Sequence, residues 1–454
     1  MLGRNKFSEW LNKRSPAQLI MIFYIIAVTV SCMLLGMPIA HKDGINLTFM
    51  EVLFTSVSAV SVTGLSVVSI VDTFNSFGVI LLAIVLQFGG VGVMTLGTLI
   101  WIVVGKKIGL KERRLIMADH NQYSFKGIVK LMKGIFKLIL WIELIGFLVL
   151  GTYYLTYFPN WQEAYFHGFF ASISATTNGG FDITGQSLIP FKDDYFVQTI
   201  HIALIIFGSI GFPVLIEVKD YLFSSQEERK FMRFSLFTKV TTFTYACLLI
   251  FGFLIIILLE WNHFFADKSW HEMIFYSLFQ STTSRSGGLS TLDMNVLTEQ
   301  SQFVTSALMF VGASPSSVGG GIRTTTFALV IIFIITFARG KRTVAFFRRE
   351  VHEEDLYKAV VVILMAVLLC FTAVTILTVL EDSSLMAIIF EVSSAFGTTG
   401  LSMGITEELS PVSKVILMIL MFIGRIGILT LLFSFNNERK KSEFHYPKEK
   451  IIIG

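Results

Sequence analysis

The sequence predicts an all-α polytopic membrane protein built from one structural unit repeated four times. Hydrophobic residues make up 54% of the 454 residues and charged residues 15%, and the mean hydropathy is +0.70. Soluble domains carry about 25% charged residues, so lipid is the solvent for most of this chain. Two further observations support the prediction: a series of long apolar segments, and a short motif that recurs four times.

The long apolar segments give the membrane spans, since a helix needs about 20 apolar residues to cross a bilayer. They lie near 18–40, 78–104, 133–158, 195–222, 235–261, 301–338, 356–380 and 411–435. Within each successive pair, an amphipathic segment of about 15 residues, too short to cross, precedes one copy of the motif. The unit is therefore a long helix, a short re-entrant helix, a glycine turn and a second long helix.

The motif aligns on one glycine in each unit. A large apolar residue follows this glycine, a small hydroxyl residue stands six positions before it, and a bulky apolar residue stands ten positions before it. The glycines are Gly64, Gly180, Gly288 and Gly400; the following residues are Leu65, Phe181, Leu289 and Leu401; the hydroxyl residues are Ser58, Ser174, Thr282 and Ser394; the bulky residues are Phe54, Phe170, Leu278 and Phe390. An interval of roughly 110 residues exceeds the usual solenoid repeat and suits a whole unit of structure.

The repeat divides the chain into six parts. These are a cytoplasmic N-terminus at 1–17, units at 18–114, 115–234, 235–350 and 351–435, and a cytoplasmic C-terminal tail at 436–454.

The distribution of Lys and Arg indicates the orientation. One set of loops, at 106–114, 229–233 and 339–349, is rich in these residues, as are both chain ends, whereas the opposite loops contain few. Because such residues are retained on the cytoplasmic side, both termini are predicted to be cytoplasmic and the glycine turns to open outward. Acidic residues in the outward loops would concentrate cations or form a solvated rim.

Four glycine turns at membrane depth indicate a cation pore. Irregular backbone is tolerated there only where protein buries it or where it lines a water-filled path. A ring of carbonyl oxygens can replace the hydration shell of a cation. Glycine permits unusual backbone angles and a close approach to the ion, and the negative end of each short helix would favour a cation.

The residues just before each glycine differ among the copies, which favours recognition by backbone carbonyls over recognition by side chains. The predicted ion-binding selectivity filter consists of Val62, Thr63, Gly64, Asn178, Gly179, Gly180, Ser286, Gly287, Gly288, Thr398, Thr399 and Gly400. The predicted fold is thus four helix–pore-helix–filter-loop–helix units around a pseudo-fourfold pore. The alternative is that the turns only pack small residues between helices.

The segment 301–338 is too long for one crossing and is interrupted in the middle. The interruption consists of Gly312, Ala313, Ser314, Pro315, Ser316, Ser317, Val318, Gly319, Gly320 and Gly321. A continuous helix does not accommodate a proline and three consecutive glycines, and in lipid such a break must face a cavity or other protein. We interpret it as an intramembrane gate beneath the filter; the alternative is a static kink.

Arg425 lies within the last apolar segment. An intramembrane charge is costly and indicates function by default, so Arg425 is predicted to set a cation barrier or to pair with the gate or with an acid. Glu143 is a candidate partner by its depth alone. The alternative is an arginine that reaches toward the inner interface. Arg285, at the end of the third short helix, is predicted to hold the filter backbone.

The chain resembles the Trk/Ktr/HKT superfamily of potassium transporters over nearly its whole length. The resemblance rests on Val62–Leu65, Gly89-Gly90-Val91-Gly92, Ser394–Leu401 and Ile423-Gly424-Arg425-Ile426-Gly427. Because the first unit begins near the N-terminus, the Ktr branch fits best, without distinguishing its KtrB type from its KtrD type.

The resemblance implies K⁺ as the transported ion at the filter residues and Na⁺ as an activator. It also implies a homodimer with one pore in each subunit, on a cytosolic KtrA-like regulatory ring that binds ATP or ADP. The same resemblance implies that the interruption is a gate and that Arg425 faces the cavity. No cofactor is expected in this chain itself.

Two other classes of function remain as alternatives. An intramembrane enzyme would need a nucleophile–base pair or a metal cluster, and none of the eight histidines belongs to a His-Glu-x-x-His motif. An inverted-repeat carrier would need units of opposite orientation, whereas these four share one.

Overall fold

The computed structural model describes residues 14–92, 128–341, 343–435, 447, 449 and 451. The N-terminus before residue 14, the second half of the span 78–104, the basic loop 106–114 and most of the tail 436–454 lie outside the described residues. The described helices are α1 (Pro16–Leu35), α2 (Phe49–Ser61), α3 (Ile70–Thr73), α4 (Ser76–Val91), α5 (Ile128–Tyr154), α6 (Trp161–Thr176), α7 (Tyr195–Ser209), α8 (Phe212–Phe223), α9 (Gln226–Phe231), α10 (Leu236–Glu260), α11 (Trp270–Thr283), α12 (Glu299–Phe310), α13 (Thr324–Ala338), α14 (Glu353–Leu380), α15 (Leu385–Gly397), α16 (Pro411–Ile426) and α17 (Ile428–Ser434). Short 3₁₀ turns lie at Pro38–Ala40, Ile189–Phe191 and Met294–Val296, and a two-stranded hairpin pairs β1 (Ala345–Phe346) with β2 (Arg349–Glu350).

The helices form four units of the predicted order. Each unit has a long first helix (α1, α5, α10 or α14), a short helix before the glycine turn (α2, α6, α11 or α15) and a second helix of 12 to 16 residues after it (α4, α7, α12 or α16). The four first helices are each long and apolar enough to cross a membrane as one piece. The all-helical polytopic fold predicted from the sequence is confirmed.

The second helix of each described unit ends or bends at a glycine-containing break, and the sequence analysis predicted this break only in the third unit. The spans 195–222 and 411–435, predicted as continuous, are bent pairs: α7 and α8 meet at 106°, and α16 and α17 meet at 96°. Gly211 and Gly427 lie at these bends with φ of +104° and +85°, and Gly92 after α4 has φ of +96°. Glycine takes such angles without the penalty that a Cβ imposes. The span 301–338 is broken between α12 and α13, as predicted.

The short helices are buried among the long ones. The bulky residues ten positions before each glycine are buried in three units, with Phe54 and Phe390 0% exposed and Phe170 1% exposed. The large residues that follow the glycines, Leu65, Phe181, Leu289 and Leu401, are each at most 2% exposed. Burial on both sides of each turn therefore fixes its depth in the core.

A carboxylate joins the ends of the two long helices in the third and fourth units. Glu260, at the end of α10, accepts hydrogen bonds from the amide and hydroxyl of Thr298 at 2.9 and 2.7 Å. Glu381, just after α14, accepts from the amide and hydroxyl of Ser410 at 3.0 and 2.6 Å. Thr298 and Ser410 also cap α12 and α16, so each carboxylate positions the start of a second helix.

We expect Glu381→Gln to lower the stability of the detergent-solubilised protein by about 1 kcal/mol at neutral pH, because a charged acceptor makes the stronger hydrogen bond. Burial by itself would raise the pKa of Glu381, but hydrogen bonds from Ser410 outweigh it and lower the pKa. This stabilisation is present above the ordinary pKa of glutamate and is lost as the pH falls through the lowered value. Thermal unfolding of the variant and of Glu408→Gln, on the exposed loop, should differ at neutral pH and converge on acidification. Equal midpoints at neutral pH would contradict this account.

Candidate functional site

The four aligned glycines lie in mutual contact and close a ring. A methyl group added to Gly64 would lie 2.6 Å from the carbonyl oxygen of Gly179, and one added to Gly180 would lie 3.1 Å from the Cα atoms of both Gly64 and Gly288. One added to Gly288 would overlap the carbonyl oxygen of Thr399, and one added to Gly400 would overlap that of Thr63. The predicted filter residues of all four units are therefore brought together at one point.

The backbone of the four turns is alike although the side chains differ. Each glycine has a positive φ, between +67° and +96°. The residue two positions earlier also has a positive φ in every copy: 57° at Val62, 54° at Asn178, 66° at Ser286 and 48° at Thr398. Non-glycine residues adopt this conformation at a cost and keep it only where the surroundings impose it. The shared feature of the site is thus its main chain.

Buried hydroxyl groups brace the turns. Ser58 and Ser394 accept hydrogen bonds from the amides of Gly64 and Gly400 at 3.1 and 3.0 Å. Ser174 donates to the carbonyl of Phe181 at 2.5 Å. In the third copy, Thr282 donates to the carbonyl of Leu278 in its own helix, and the neighbouring Thr283 donates to the carbonyl of Leu289.

The loop 312–321 lies directly against the turns. A methyl group on Gly319 would lie 2.5 Å from the hydroxyl of Ser286, and one on Gly320 would lie 2.6 Å from the side chain of Thr398. Except for Gly321, which is partly exposed, the loop residues are buried. The predicted interruption therefore lies next to the filter residues of the third and fourth units.

Backbone hydrogen bonds hold the loop against the bend of the second unit. The amides of Ser314 and Val318 donate to the carbonyls of Ser209 and Gly208 at 3.0 and 3.2 Å, and the amide of Phe212 donates to the carbonyl of Ser316 at 2.9 Å. The break between α7 and α8 thus satisfies backbone groups that the broken helices leave without partners.

Arg425 joins the loop to the end of α4. Its guanidinium donates to the carbonyls of Val318 and Gly319 on the loop, and to those of Gly89 and Gly90 on α4. The predicted pairing with the loop is therefore formed. Glu143 is not the partner that the sequence indicated, because its carboxyl accepts a hydrogen bond from Gln87.

Arg323 makes loop contacts that the sequence analysis missed. It donates to the carbonyl of Gly319 and, at 3.4 Å, to the backbone carbonyl of Arg425. The sequence signal for these contacts was the position of Arg323, just after the three consecutive glycines and directly before the next helix.

A cavity of about 290 Å³ adjoins the loop on the side predicted to be cytoplasmic. Its lining includes Tyr24, Pro315, Arg323, Lys358 and Arg425. The loop thus lies between this cavity and the turns that it contacts, and the two arginines line the cavity.

Arg285 is completely buried behind the third turn, with its guanidinium carbon 5.4 Å from the centre of the Tyr245 ring. Within the described residues, its side-chain nitrogens have no hydrogen-bond partner. The expected hydrogen bond to the filter backbone is therefore not formed, and the aromatic face provides the cation contact.

Comparison with known proteins places these features in a family. The family model for TrkH, described as a cation transport protein, matches residues 7–444. The chain is 60% identical to Ktr system potassium uptake protein D of Bacillus subtilis, covering 99% of this chain and all of that one. It is 34% identical to Ktr system potassium uptake protein B of the same organism, over the whole of both chains.

A solved structure agrees in fold. The potassium transporter TrkH from Vibrio parahaemolyticus superposes with a TM-score of 0.73 at 17% sequence identity, covering 93% of this chain and 85% of that one. The relatives are transporters, so the alternative of an intramembrane enzyme is wrong. A glycine ring, a buried loop beside it and these matches together show that the chain is a polytopic membrane protein of the Ktr/Trk family of cation transport proteins.

Proposed function

We propose that the chain takes up potassium across the cell membrane through a selectivity filter lined by carbonyl oxygens of the four glycine turns. The observation that carries this proposal is the closed ring of Gly64, Gly180, Gly288 and Gly400. Potassium as the ion is supported by the names of the relatives, two Ktr system potassium uptake proteins and a potassium/sodium uptake protein of Enterococcus hirae that is 31% identical. The twelve filter residues predicted from the sequence form the proposed ion site.

The shared backbone conformation supports carbonyl coordination. Valine, asparagine, serine and threonine occupy equivalent positions with similar φ values, so a fourfold set of side-chain ligands does not exist there. Carbonyl groups are present in every copy, and rings of carbonyl oxygens replace the hydration shell of potassium. The C-terminal ends of the four short helices, adjoining the turns, add a negative potential that favours cations.

In this proposal, the loop 312–321 is the gate and Arg425 is its latch. The loop lies between the ring and the cavity, and the guanidinium of Arg425 bridges it to α4. Displacement of the loop would open a path from the ring to the cavity. A positive charge on that path also raises a barrier to cations until it moves.

The remaining parts of the proposal concern assembly and regulation. The termini are cytoplasmic, the protein is a homodimer with one pore in each chain, and a cytosolic KtrA-like ring with bound ATP or ADP controls the gate. Sodium activates transport. The support for these parts is the 60% identity to a Ktr system protein and the basic surface of residues 339–349.

Complementation tests the proposed function. Expression in a bacterium that lacks its own potassium uptake systems should restore growth at low potassium, and co-expression of a nucleotide-binding regulatory subunit should increase uptake. Added sodium should raise the rate further. Absence of growth, with the protein present in the membrane fraction, would contradict the proposed potassium uptake. Growth that is unaffected by sodium would contradict only the proposed activation by sodium.

A further inference from the structure

One pair of interacting side chains, from the first and second units, has two buried oxygen atoms without a hydrogen-bond donor among the described residues. Glu143, in the middle of α5, is 6% exposed, and one of its carboxyl oxygens, Oε2, accepts a hydrogen bond from Nε2 of Gln87 on α4. In the part of the chain that the structure describes, the second carboxyl oxygen, Oε1 of Glu143, is buried without a partner, as is the carbonyl oxygen Oε1 of Gln87. An orphaned buried acceptor costs about 1–3 kcal/mol, and here two of them belong to one interacting pair.

A single proton would satisfy both atoms. An ionised carboxylate can only accept hydrogen bonds, whereas a protonated carboxyl also has one O–H donor. If the proton is on Oε1 of Glu143, that hydroxyl donates to the amide oxygen of Gln87 while the amide nitrogen donates to Oε2. The acid and the amide then form a cyclic pair with two hydrogen bonds.

The surroundings favour the neutral acid. An ionised carboxylate buried in an apolar medium without a cation is far more costly than the protonated form. The described part of α4 has no titratable side chain. No charged side chain among the described residues of α6, α7 and α8 interacts electrostatically with the carboxyl group of Glu143. Lys137, which is the nearest basic residue of α5 in sequence, does not interact with it either.

We propose that Glu143 is a proton-binding site whose bound proton joins α4 to α5. The junction lies against the second short helix: the hydroxyl of Ser172 on that helix donates to the backbone carbonyl of Glu143 at 2.8 Å. Gln87 precedes Gly89 and Gly90, whose carbonyls accept from Arg425. The acid–amide pair therefore fixes the end of α4 on which Arg425 holds the loop.

Infrared spectroscopy of the purified protein in detergent tests the proton directly and does not depend on transport. At neutral pH the wild-type spectrum should contain a protonated-carboxyl C=O band that Glu143→Gln removes, without loss of a carboxylate band. Gln87→Leu should keep this band and shift it to higher frequency, because the hydrogen bond to the amide is lost. A spectrum in which Glu143→Gln leaves the protonated band intact, or removes a carboxylate band instead, overturns the proposal.

A second measurement concerns transport and rests on the proposed function. Glutamine reproduces the neutral acid and can still pair with Gln87, so Glu143→Gln should transport potassium at the wild-type rate near neutral pH. Wild-type transport should fall at alkaline pH as Glu143 ionises, and that of Glu143→Gln should not. Identical pH profiles of the wild-type protein and Glu143→Gln would overturn the proposal that the proton on Glu143 supports transport. Should neither protein transport potassium while the infrared band behaves as expected, the proposed function fails and the proton site stands.

Discussion

Gly400→Ala should abolish potassium-selective transport, whereas Gly404→Ala should leave it intact. The two glycines have similar backbone conformations, with φ of +96° and +87°, so both replacements carry the same backbone penalty of about 1–2 kcal/mol. They differ in their surroundings. A methyl group at Gly400 would overlap the carbonyl oxygen of Thr63 and lie 3.0 Å from the Cα of Gly64, while at Gly404 nothing lies within 4 Å.

Purified variants in proteoliposomes provide the measurement. Uptake of potassium and of sodium is measured for each variant. The midpoint of thermal unfolding is measured separately, because it reports how much each substitution destabilises the fold. The added methyl displaces a carbonyl from the ring, so the potassium-to-sodium ratio should collapse in Gly400→Ala and stay at the wild-type value in Gly404→Ala. An unaltered ratio in Gly400→Ala would contradict ion coordination by the ring.

The first unit provides an independent pair of variants. Gly64→Ser should weaken selectivity for potassium over sodium, because a side chain there would meet Gly179 and Gly180. Gly44→Ser, at a glycine with φ of +82° and open surroundings, is the matched control. If the two serine variants are equally selective, the first turn does not belong to the ion site.

Arg425→Ala should raise the rate of potassium transport and reduce its dependence on the regulatory subunit. The guanidinium makes hydrogen bonds to two loop carbonyls and to two carbonyls of α4. Hydrogen bonds to a charged group are worth about 1.5–3 kcal/mol each, and every 1.4 kcal/mol changes an equilibrium about tenfold. The loss of even one such bond to the loop should therefore shift the loop toward its displaced position by roughly one to two orders of magnitude.

Several variants separate the latch from other effects of charge. Lys414→Ala removes a cation from the same helix, where Lys414 donates to the carbonyl of Glu407, and should leave the rate unchanged. Arg425→Lys keeps the charge but not the forked geometry that reaches both the loop and α4, and should be intermediate. Deletion of residues within 312–321 should raise the flux more than any of these. Wild-type rates in both Arg425→Ala and the deletion would exclude this loop as the gate.

The sequence by itself determined the class of fold, the four units, the broken span and the residues that meet in the ring. These features follow from local rules: apolar length sets a span, and a proline followed by three consecutive glycines interrupts a helix. The pairing of Arg425 with the loop was one of the alternatives that the sequence offered, because a charge within a membrane span requires partners.

The tertiary structure decided where helices bend and which polar groups pair. The spans 195–222 and 411–435 were predicted as continuous because each is long and largely apolar, yet Gly211 and Gly427 adopt positive φ values there. At the first of these bends, the loop supplies hydrogen bonds to the freed backbone groups. Likewise, Glu143 pairs with Gln87 and Arg285 with the ring of Tyr245. Depth along a helix follows from sequence position, but the neighbour on the facing helix depends on how the units pack around the ring, and that is a property of the assembled fold.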